Sequence, residues 1–241
     1  MRVLRAGTPD AWAATVAEWL LERLRANPGL RVCLPTGLTP VPVYRRVAEA
    51  IGRGGASFRE AEVFLLDEFG GAAPDDPGRC DQMLWRFLLN DVDLPRERFH
   101  GFNLDGDIDR TCRDVESLIG PAGVDLTLLG IGTNGHVGMN EPGTDAGSLT
   151  RRVTLTPETI AASARYFTHG RLPTWGVTMG LGTIGRSQEV WLLASGAGKA
   201  SIARATVEGP VTPDVPASLL RNHPRAVFVL DDEAASQLSN R

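Results

Sequence analysis

The chain repeats one arrangement: a short apolar run, then a turn rich in glycine or acidic residues, then a helical pattern. Continuous apolar runs that alternate with helices are typical of a parallel sheet that is buried on both faces and joined by right-handed crossovers. This repeat limits the possible folds more than any other feature of the sequence. The apolar runs are residues 30–34, 63–66, 125–131, 190–194 and 226–230. The last run is expected to lead into a final helix.

The length of 241 residues, without a long linker, a charge block or an internal repeat, predicts one domain over residues 1–241. Its expected architecture is α/β, a three-layer α/β/α sandwich with a mostly parallel, Rossmann-like sheet. Thr8, Pro9 and Asp10 form a helix start, and Trp12 and Trp19 are expected to anchor this opening helix in the core. The proline-rich stretch 209–216 is expected to be a surface excursion.

Composition and charge exclude several classes of protein. The formal net charge of −4 offers no basic surface of the kind that displaces counterions from nucleic-acid phosphates. No apolar run approaches the roughly 20 residues of a membrane-spanning helix. Cys33, Cys80 and Cys112 have no paired spacing, and no charged and apolar leader follows Met1. We therefore expect a cytoplasmic protein without disulfides, membrane segments or nucleic-acid partners.

Polar residues that follow the apolar runs are expected to meet at one edge, because ligands bind beyond the carboxyl ends of parallel strands. The turn 36–39, Thr-Gly-Leu-Thr, combines hydroxyls with a flexible glycine and precedes Pro40, which is predicted to be the first residue of a helix. These features suit an anion cradle. The alternative is that Thr39 only caps the helix and Gly37 only forms the turn.

Charged residues follow two further runs. Lys199 is predicted in the first turn of a helix, where the helix dipole disfavours a cation unless an anion lies in front of it. Asp67 and Glu68 directly follow residues 63–66, and strand alternation sends their side chains to opposite sides. An apolar wall behind one of them would raise its pKa and suit it to accept protons near neutral pH. The alternatives are a solvated lysine and two acids that close a strand or cap a helix.

The segment 129–143 carries the strongest functional signal, because five glycines crowd around His136 and Glu141. Such permissive backbone usually allows a ligand to approach, and Gly132 and Gly135 are candidates for this role. His136 and Glu141 suit an oriented acid–base pair. The scattered histidines and cysteines offer no third ligand of recognisable spacing, so no metal is expected. The other histidines are expected to be solvent-facing or structural: His100, His169 and His223.

Together these segments resemble the glucosamine-6-phosphate deaminase/isomerase family and, less closely, the related 6-phosphogluconolactonases. The resemblance covers nearly the whole chain. Gly135-His136 followed by Asn-Glu-Pro at 140–142 is typical of the deaminases, whereas the lactonases share Gly-His without this Asn-Glu-Pro. The segments that carry the resemblance are 34–40, 66–69, 130–143, 163–167, 178–184, 198–200, 207–209, 216–220 and 223–224.

The resemblance implies conversion of glucosamine 6-phosphate and water into fructose 6-phosphate and ammonia, without a metal or organic cofactor. It implies that Asp67 moves a proton between C2 and C1 of the open-chain sugar. It also implies that His136, oriented by Glu141 within a group that includes Asn134, opens the sugar ring. The implied substrate- and phosphate-binding residues are Thr36, Gly37, Leu38, Thr39, Gly132, Gly135, Arg165 and Lys199. Members of the family differ in oligomeric state, so a homo-oligomer is compatible with the resemblance.

The chain departs from the family pattern at several positions. Asn134 stands where some members have aspartate, Leu38 replaces a common glycine, and Met139 replaces a usual aromatic residue. Residues 79–82, Arg-Cys-Asp-Gln, differ from an expected Ser-Tyr pattern. These departures leave the choice between a gluco and a galacto hexosamine phosphate open.

Two other functions remain as alternatives. One is hydrolysis of a sugar-phosphate lactone, in which His136 would activate water. The other is a sugar-phosphate sensor without catalysis, although no helix-turn-helix pattern or basic arm precedes the first strand.

Overall fold

The structure of the protein is a computed structural model that describes residues 1–168 and 172–239, so His169 lies outside the described residues. The strands are β1 (Arg2–Arg5), β2 (Arg31–Leu34), β3 (Glu62–Leu65), β4 (Asp67–Phe69), β5 (Phe99–His100), β6 (Leu126–Gly130), β7 (Arg151–Thr154), β8 (Trp175–Thr178), β9 (Glu189–Ala194) and β10 (Ala226–Leu230). The helices are α1 (Pro9–Ala26), α2 (Val41–Gly52), α3 (Cys80–Phe87), α4 (Ile108–Ile119), α5 (Pro157–Ser163), α6 (Leu181–Ile184), α7 (Ala200–Glu208) and α8 (Pro216–Leu219).

A parallel sheet with helices on its flanks forms the centre of the molecule, which confirms the predicted fold class. Its strand order is β1-β10-β9-β6-β2-β3-β5, and every neighbouring pair is parallel. Chain order runs outward from β2 to β3 and β5 on one side, and from β6 to β9 and β10 on the other. The direction of winding therefore reverses between β2 and β6, which is where ligands bind in open α/β sheets.

The sequence did not predict a second, antiparallel sheet, in which β8 lies between β4 and β7. Residues 67–69 were expected to be a turn after the apolar run, but they form β4, in which Asp67 pairs with Thr178. A three-residue strand is too short to show an alternating pattern, and its pairing partner is remote in sequence. This sheet carries Asp67 directly beyond the carboxyl end of β3.

The opening helix α1 forms as predicted. The Thr8 hydroxyl accepts a hydrogen bond from the N–H of Ala11, and Pro9 is the first helical residue. Trp12 is buried and its indole N–H donates to the carbonyl of Val229 at 2.9 Å, which ties α1 to β10. Trp19 is half-buried and meets the Trp191 ring edge-on, with 5.6 Å between ring centroids.

The predicted final helix is wrong, because residues 232–237 form turns. The Asp231 carboxylate accepts N–H groups from both Ala234 and Gly196. Beyond it, one i−4 backbone hydrogen bond from Ala235 is followed by i−3 bonds from Ser236 and Leu238, so no regular α-helix propagates. The Arg5 guanidinium then contacts the carbonyls of Leu238 and Ser239.

Pro40 and Lys199 were expected in the first turns of two helices, but both lie just before the helix that follows them. Helix α2 begins at Val41, so Pro40 occupies the capping position and the Thr39 hydroxyl does not cap the helix. Helix α7 begins at Ala200, and Lys199 ends the short 3-10 turn before it.

The remaining histidines lie in different environments. His223 is buried and its Nε2 lies 2.8 Å from the Ser187 carbonyl oxygen, so it has a structural role. His100 lies in strand β5, is half-buried and packs against the Phe64 ring, with 4.7 Å between ring centroids. Residues 210–214 form a largely exposed loop between α7 and α8, as expected for a surface excursion.

Candidate active site

A cleft of about 410 Å³ opens at the carboxyl ends of β2, β3 and β6, at the point where the winding of the sheet reverses. Asp67 and Lys199, which are far apart in sequence, both line it. The other predicted residues that line the cleft are Thr36, Gly37, Leu38, Thr39, Gly132, His136 and Arg165. We call Asp67, His136 and Glu141 the acid–base wall, although Glu141 and Asn134 do not themselves line the cleft. The side formed by residues 36–39, Arg165 and Lys199, which the resemblance predicts to bind phosphate, is called the phosphate wall.

Asp67 is a nearly buried carboxylate at the base of the cleft, with 8% of its surface exposed. Burial raises the pKa of Asp67 to about 6, against a hydrogen bond from the Cys80 thiol and the charge of His136, which lower it. Gly138 lies against it, since a Cβ there would be 3.4 Å from Asp67 Oδ2. Asp67 is therefore a stronger base than an exposed aspartate and is still mostly ionised at pH 7.

Glu68 points to the other side of β4 and is completely buried. Its carboxylate accepts the backbone N–H groups of Phe69, Cys80 and Asp81 at 2.7–2.9 Å. It thereby caps helix α3, which has no side-chain cap of its own, and fixes Cys80 next to Asp67. The two consecutive acids divide as strand alternation predicts: one faces the cleft and the other is structural.

His136 and Glu141 lie together, with 3.6 Å between Nδ1 and Oε2. Asn134 holds both residues, because its amide N–H donates to Glu141 Oε2 at 2.8 Å and its amide oxygen accepts the His136 backbone N–H at 3.1 Å. The Thr159 hydroxyl donates to the other oxygen, Oε1. Burial alone would raise the pKa of Glu141, but His136 and the hydrogen bonds from Thr159 and Asn134 hold it at about 2. Glu141 is therefore ionised throughout the physiological range.

The glycine-rich loop places these groups by close packing. A Cβ on Gly132 would lie 2.2 Å from the His136 ring, so only glycine leaves room for this imidazole. Gly135 has φ +88° and packs against Val215 and Ile202, outside the residues that line the cleft. The fully buried Asn140 anchors the loop, because its amide donates to the carbonyls of Val137 and Met179.

Two cations face each other on the phosphate wall. Lys199 Nζ donates to the Ile131 carbonyl at 2.7 Å, and burial followed by the charge of Arg165 lowers the pKa of Lys199. Arg165 lies over the ring of Tyr166, with 5.3 Å between its guanidinium carbon and the ring centroid. Across residues 1–168 and 172–239, neither cation is within ion-pair distance of a carboxylate. Their mutual repulsion favours an anion between them.

The turn after β2 completes this wall. Gly37 has φ +85°, which lets the chain turn in front of the first turn of α2. The backbone N–H groups of Gly37, Leu38 and Thr39 donate to no acceptor in the described part of the chain. Leu38 lines the cleft and is 53% exposed, so it lies at the rim. Three N–H groups and two cations are typical of a binding site for an oxyanion such as phosphate.

Sequence reasoning missed three cleft residues that the structure brings together. Cys80 lies beside Asp67, Thr159 holds Glu141, and the Tyr166 hydroxyl lies close to Gly37. Cys80 and Tyr166 belong to the segments 79–82 and 163–167, but nothing in the local sequence indicates what they contact. Thr159 follows Thr156 and Pro157, which predict only a helix start.

Neither a metal-binding cluster nor a membrane-spanning helix is found among the described residues. Within them, no three His, Cys, Asp or Glu side chains are grouped so that they could hold a metal ion. None of the helices found there is long and apolar enough to cross a membrane.

A doubly wound sheet with acid–base groups and paired cations at its switch point is typical of α/β enzymes that act on small anionic substrates. The sequence model of the family described as glucosamine-6-phosphate isomerases/6-phosphogluconolactonase matches residues 6–229. The chain belongs to this family, as the resemblance in its motifs predicted.

Individual relatives support this assignment. The chain is 41% identical over 235 residues to a glucosamine-6-phosphate deaminase of Rhodopirellula baltica (strain DSM 10527 / NCIMB 13988 / SH1), covering 96% of this chain and 94% of that protein. It is 39% identical to a glucosamine-6-phosphate deaminase of Hahella chejuensis (strain KCTC 2396), covering 99% and 92%.

Solved structures agree with these relatives. A structure described as a monomeric glucosamine-6-phosphate deaminase matches with a TM-score of 0.94 and 34% identity, over 98% of this chain and all of that one. A 6-phosphogluconolactonase of Trypanosoma brucei matches with a TM-score of 0.76 and 20% identity, over 99% and 98% of the two chains, and this likeness extends to the fold alone.

Proposed function

We propose that this chain is a glucosamine-6-phosphate deaminase, which converts glucosamine 6-phosphate and water into fructose 6-phosphate and ammonia. One observation carries the proposal: a base, an oriented acid–base pair and two unneutralised cations converge on a single cleft. The names of the relatives that the chain matches along nearly its whole length support the same reaction. The lactonase alternative has support only from distant relatives of the same fold.

The phosphate wall would bind the substrate phosphate. The N–H groups of Gly37 to Thr39, Arg165 and Lys199 would supply hydrogen bonds and positive charge to its oxygens. Binding energy from this remote group would orient the reacting carbons against the acid–base wall. The substrate anion would also relieve the repulsion between the two cations.

The acid–base wall would carry out the proton transfers. His136, oriented by the permanently ionised Glu141, would move the proton between the anomeric hydroxyl and the ring oxygen, which opens the ring. Asp67 would then take the proton from C2 and return it to C1, while one proton of the C2 amino group passes to O1, which leaves a hydroxyl at C1 and an imine at C2. Water adds to this imine and ammonia leaves, so the atoms balance without an external oxidant or reductant.

Turnover with purified protein tests the proposal. We expect ammonia and fructose 6-phosphate to form from glucosamine 6-phosphate in equal amounts, and to form after treatment with a chelator as well. A parallel assay with 6-phosphogluconolactone separates the alternatives, because lactone hydrolysis without ammonia release would contradict the deaminase proposal. Galactosamine 6-phosphate as a second substrate measures the gluco or galacto preference. Binding of these sugar phosphates without any turnover would instead favour a sensor.

We also propose that the chain is one domain over residues 1–241, since loops from both sheets contribute to the same cleft. A cytoplasmic location is part of the proposal, and the three buried free thiols Cys33, Cys80 and Cys112 are consistent with it.

A further inference from the structure

Thr159 joins Glu141 to the segment that carries Arg165. Its hydroxyl donates to Oε1 of Glu141, whereas Oε2 accepts from Asn134 at 2.8 Å and faces His136 at 3.6 Å. The hydroxyl of Thr156 lies 3.5 Å from the same Oε1 and caps α5 by accepting the Thr159 N–H at 3.2 Å. One carboxylate oxygen of Glu141 therefore contacts Asn134 and His136, and the other accepts a hydrogen bond from α5.

Helix α5 has few other anchors. Of its seven residues only Ser163 is buried, and Ile160 packs partly against the core. The 3-10 turn Ala164–Tyr166 continues directly from α5 and includes Arg165. This short segment holds Arg165 between two anchors: Thr159 on the α5 side, and Tyr166 and Phe167, which pack against the core, on the other.

We propose that Thr159 is a positioning residue that couples phosphate binding by Arg165 to the alignment of the His136–Glu141 pair. This inference rests on the proposed function, because it requires a substrate whose phosphate reaches Arg165. A phosphate on Arg165 fixes α5, Thr159 transmits this to Glu141, and Glu141 orients the imidazole. The two walls of the cleft then act as one unit although no side chain belongs to both.

Two substitutions isolate the hydroxyl. Thr159→Val keeps the shape of the side chain without its donor, and we expect kcat/KM for glucosamine 6-phosphate to fall about 10- to 100-fold, as for loss of a hydrogen bond to a charged group. Both kcat and KM should change, because both walls are affected. Thr159→Ser keeps the donor and should stay within about threefold of the wild type. A variant Thr159→Val with lower thermal stability but unchanged kcat and KM would contradict the proposal.

A double-mutant cycle with Arg165→Ala tests the coupling itself. The binding of a hexitol 6-phosphate, measured by calorimetry, requires no turnover. We expect Thr159→Val to weaken binding in the wild-type background but to have little further effect beside Arg165→Ala. Independent losses that multiply in the double variant would overturn the coupling. Absence of ammonia from the wild-type enzyme would instead count against the proposed function, while the binding cycle would still decide the role of Thr159.

Thr183 offers a matched control. Its hydroxyl donates to Oε1 of Glu116, a half-buried glutamate that also binds Arg186, and Thr183 does not line the cleft. Thr183→Val therefore removes the same kind of bond at a site without substrate. We expect a lower Tm, unchanged kcat and KM, and independence from Arg165→Ala in the binding cycle. If Thr183→Val instead coupled to Arg165→Ala as Thr159→Val does, the cycle would report general destabilisation and the inference would fail.

Discussion

The two walls of the cleft differ in whether their charged side chains have partners within the protein. On the acid–base wall, Glu141 already has partners: Asn134 and Thr159 donate to it and His136 lies beside it. On the phosphate wall, Arg165 and Lys199 have no carboxylate partner in the described chain, and burial and repulsion lower the pKa of Lys199. The groups of the first wall are organised within the protein itself, whereas the cations of the second wall would gain an anionic partner only from the proposed ligand.

The acid–base wall itself contains two carboxylates with opposite pKa shifts. The pKa of Asp67 is about 6, because burial outweighs its partners, and the pKa of Glu141 is about 2, because its partners outweigh burial. Glu141 therefore contributes stability that is present above its unfolded pKa and lost as pH falls towards 2. Asp67 has the opposite effect, since the folded state holds its proton more tightly and loses that contribution as pH rises from about 4 to about 6.

The largest effect is expected from Asp67→Asn, which removes the base but keeps the size of the side chain. We expect kcat to fall about 10²- to 10⁴-fold, the usual contribution of a positioned base. Binding of a hexitol 6-phosphate should change only a few-fold, because the phosphate wall is intact. Ammonia release and calorimetry measure the two quantities.

The stability of the same variant provides a control. Asp67→Asn removes a buried charge, so we expect Tm at pH 8 to be no lower than that of the wild type. A large loss of Tm together with the loss of kcat would show that Asp67 stabilises the fold. The fall in kcat would then no longer support Asp67 as the catalytic base.

The next effect is expected on the phosphate wall. Lys199→Met keeps the apolar stem without the charge, and we expect KM for the phosphosugar to rise about 10- to 150-fold, as for a lost charge-assisted hydrogen bond. The ligand-free Tm should change little, because removal of the charge also relieves repulsion with Arg165. Glu141→Gln is the matched comparison. It should lower the ligand-free Tm, because it weakens the interactions of Glu141 with Asn134, Thr159 and His136. Equal Tm losses in both variants would contradict the contrast between the walls.

The sequence predicted the parts of this molecule that depend on local pattern and on the edge of a parallel sheet. The sheet, α1 and the placement of Asp67, His136 and Lys199 at one cleft all follow from apolar runs and the residues after them. The second sheet could not be predicted, because β4 has only three residues and pairs with β8 more than a hundred positions away. Contacts such as Thr159 with Glu141 depend on how the loops pack in three dimensions, which no local pattern specifies.

A smaller effect is expected on the pH dependence of activity. Asp67 must be ionised to accept a proton, so kcat/KM should fall as pH drops through about 6. The thiol of Cys80 lowers the pKa of Asp67 by hydrogen bonding, so Cys80→Ala should move this acidic limb to higher pH. Cys80→Ser keeps a donor and should not. Cys112→Ala, at a buried thiol outside the cleft, is the control, and an acidic limb that is the same in all four proteins would remove Cys80 from this role.

The smallest effect concerns the turn of the phosphate wall, where this chain has leucine in place of the family's common glycine. Leu38 is exposed and its φ is not positive, so the leucine is unstrained, and we expect its side chain to leave the N–H donors free for the phosphate. Leu38→Gly would only add freedom that phosphate binding must remove, and we expect KM to rise about two- to fivefold. Gly37→Ala should cost more, because φ +85° strains any side chain at that position. If Leu38→Gly instead lowered KM, the leucine side chain would obstruct the phosphate. The phosphate wall would then not be open to its ligand, and the contrast between the two walls would fail.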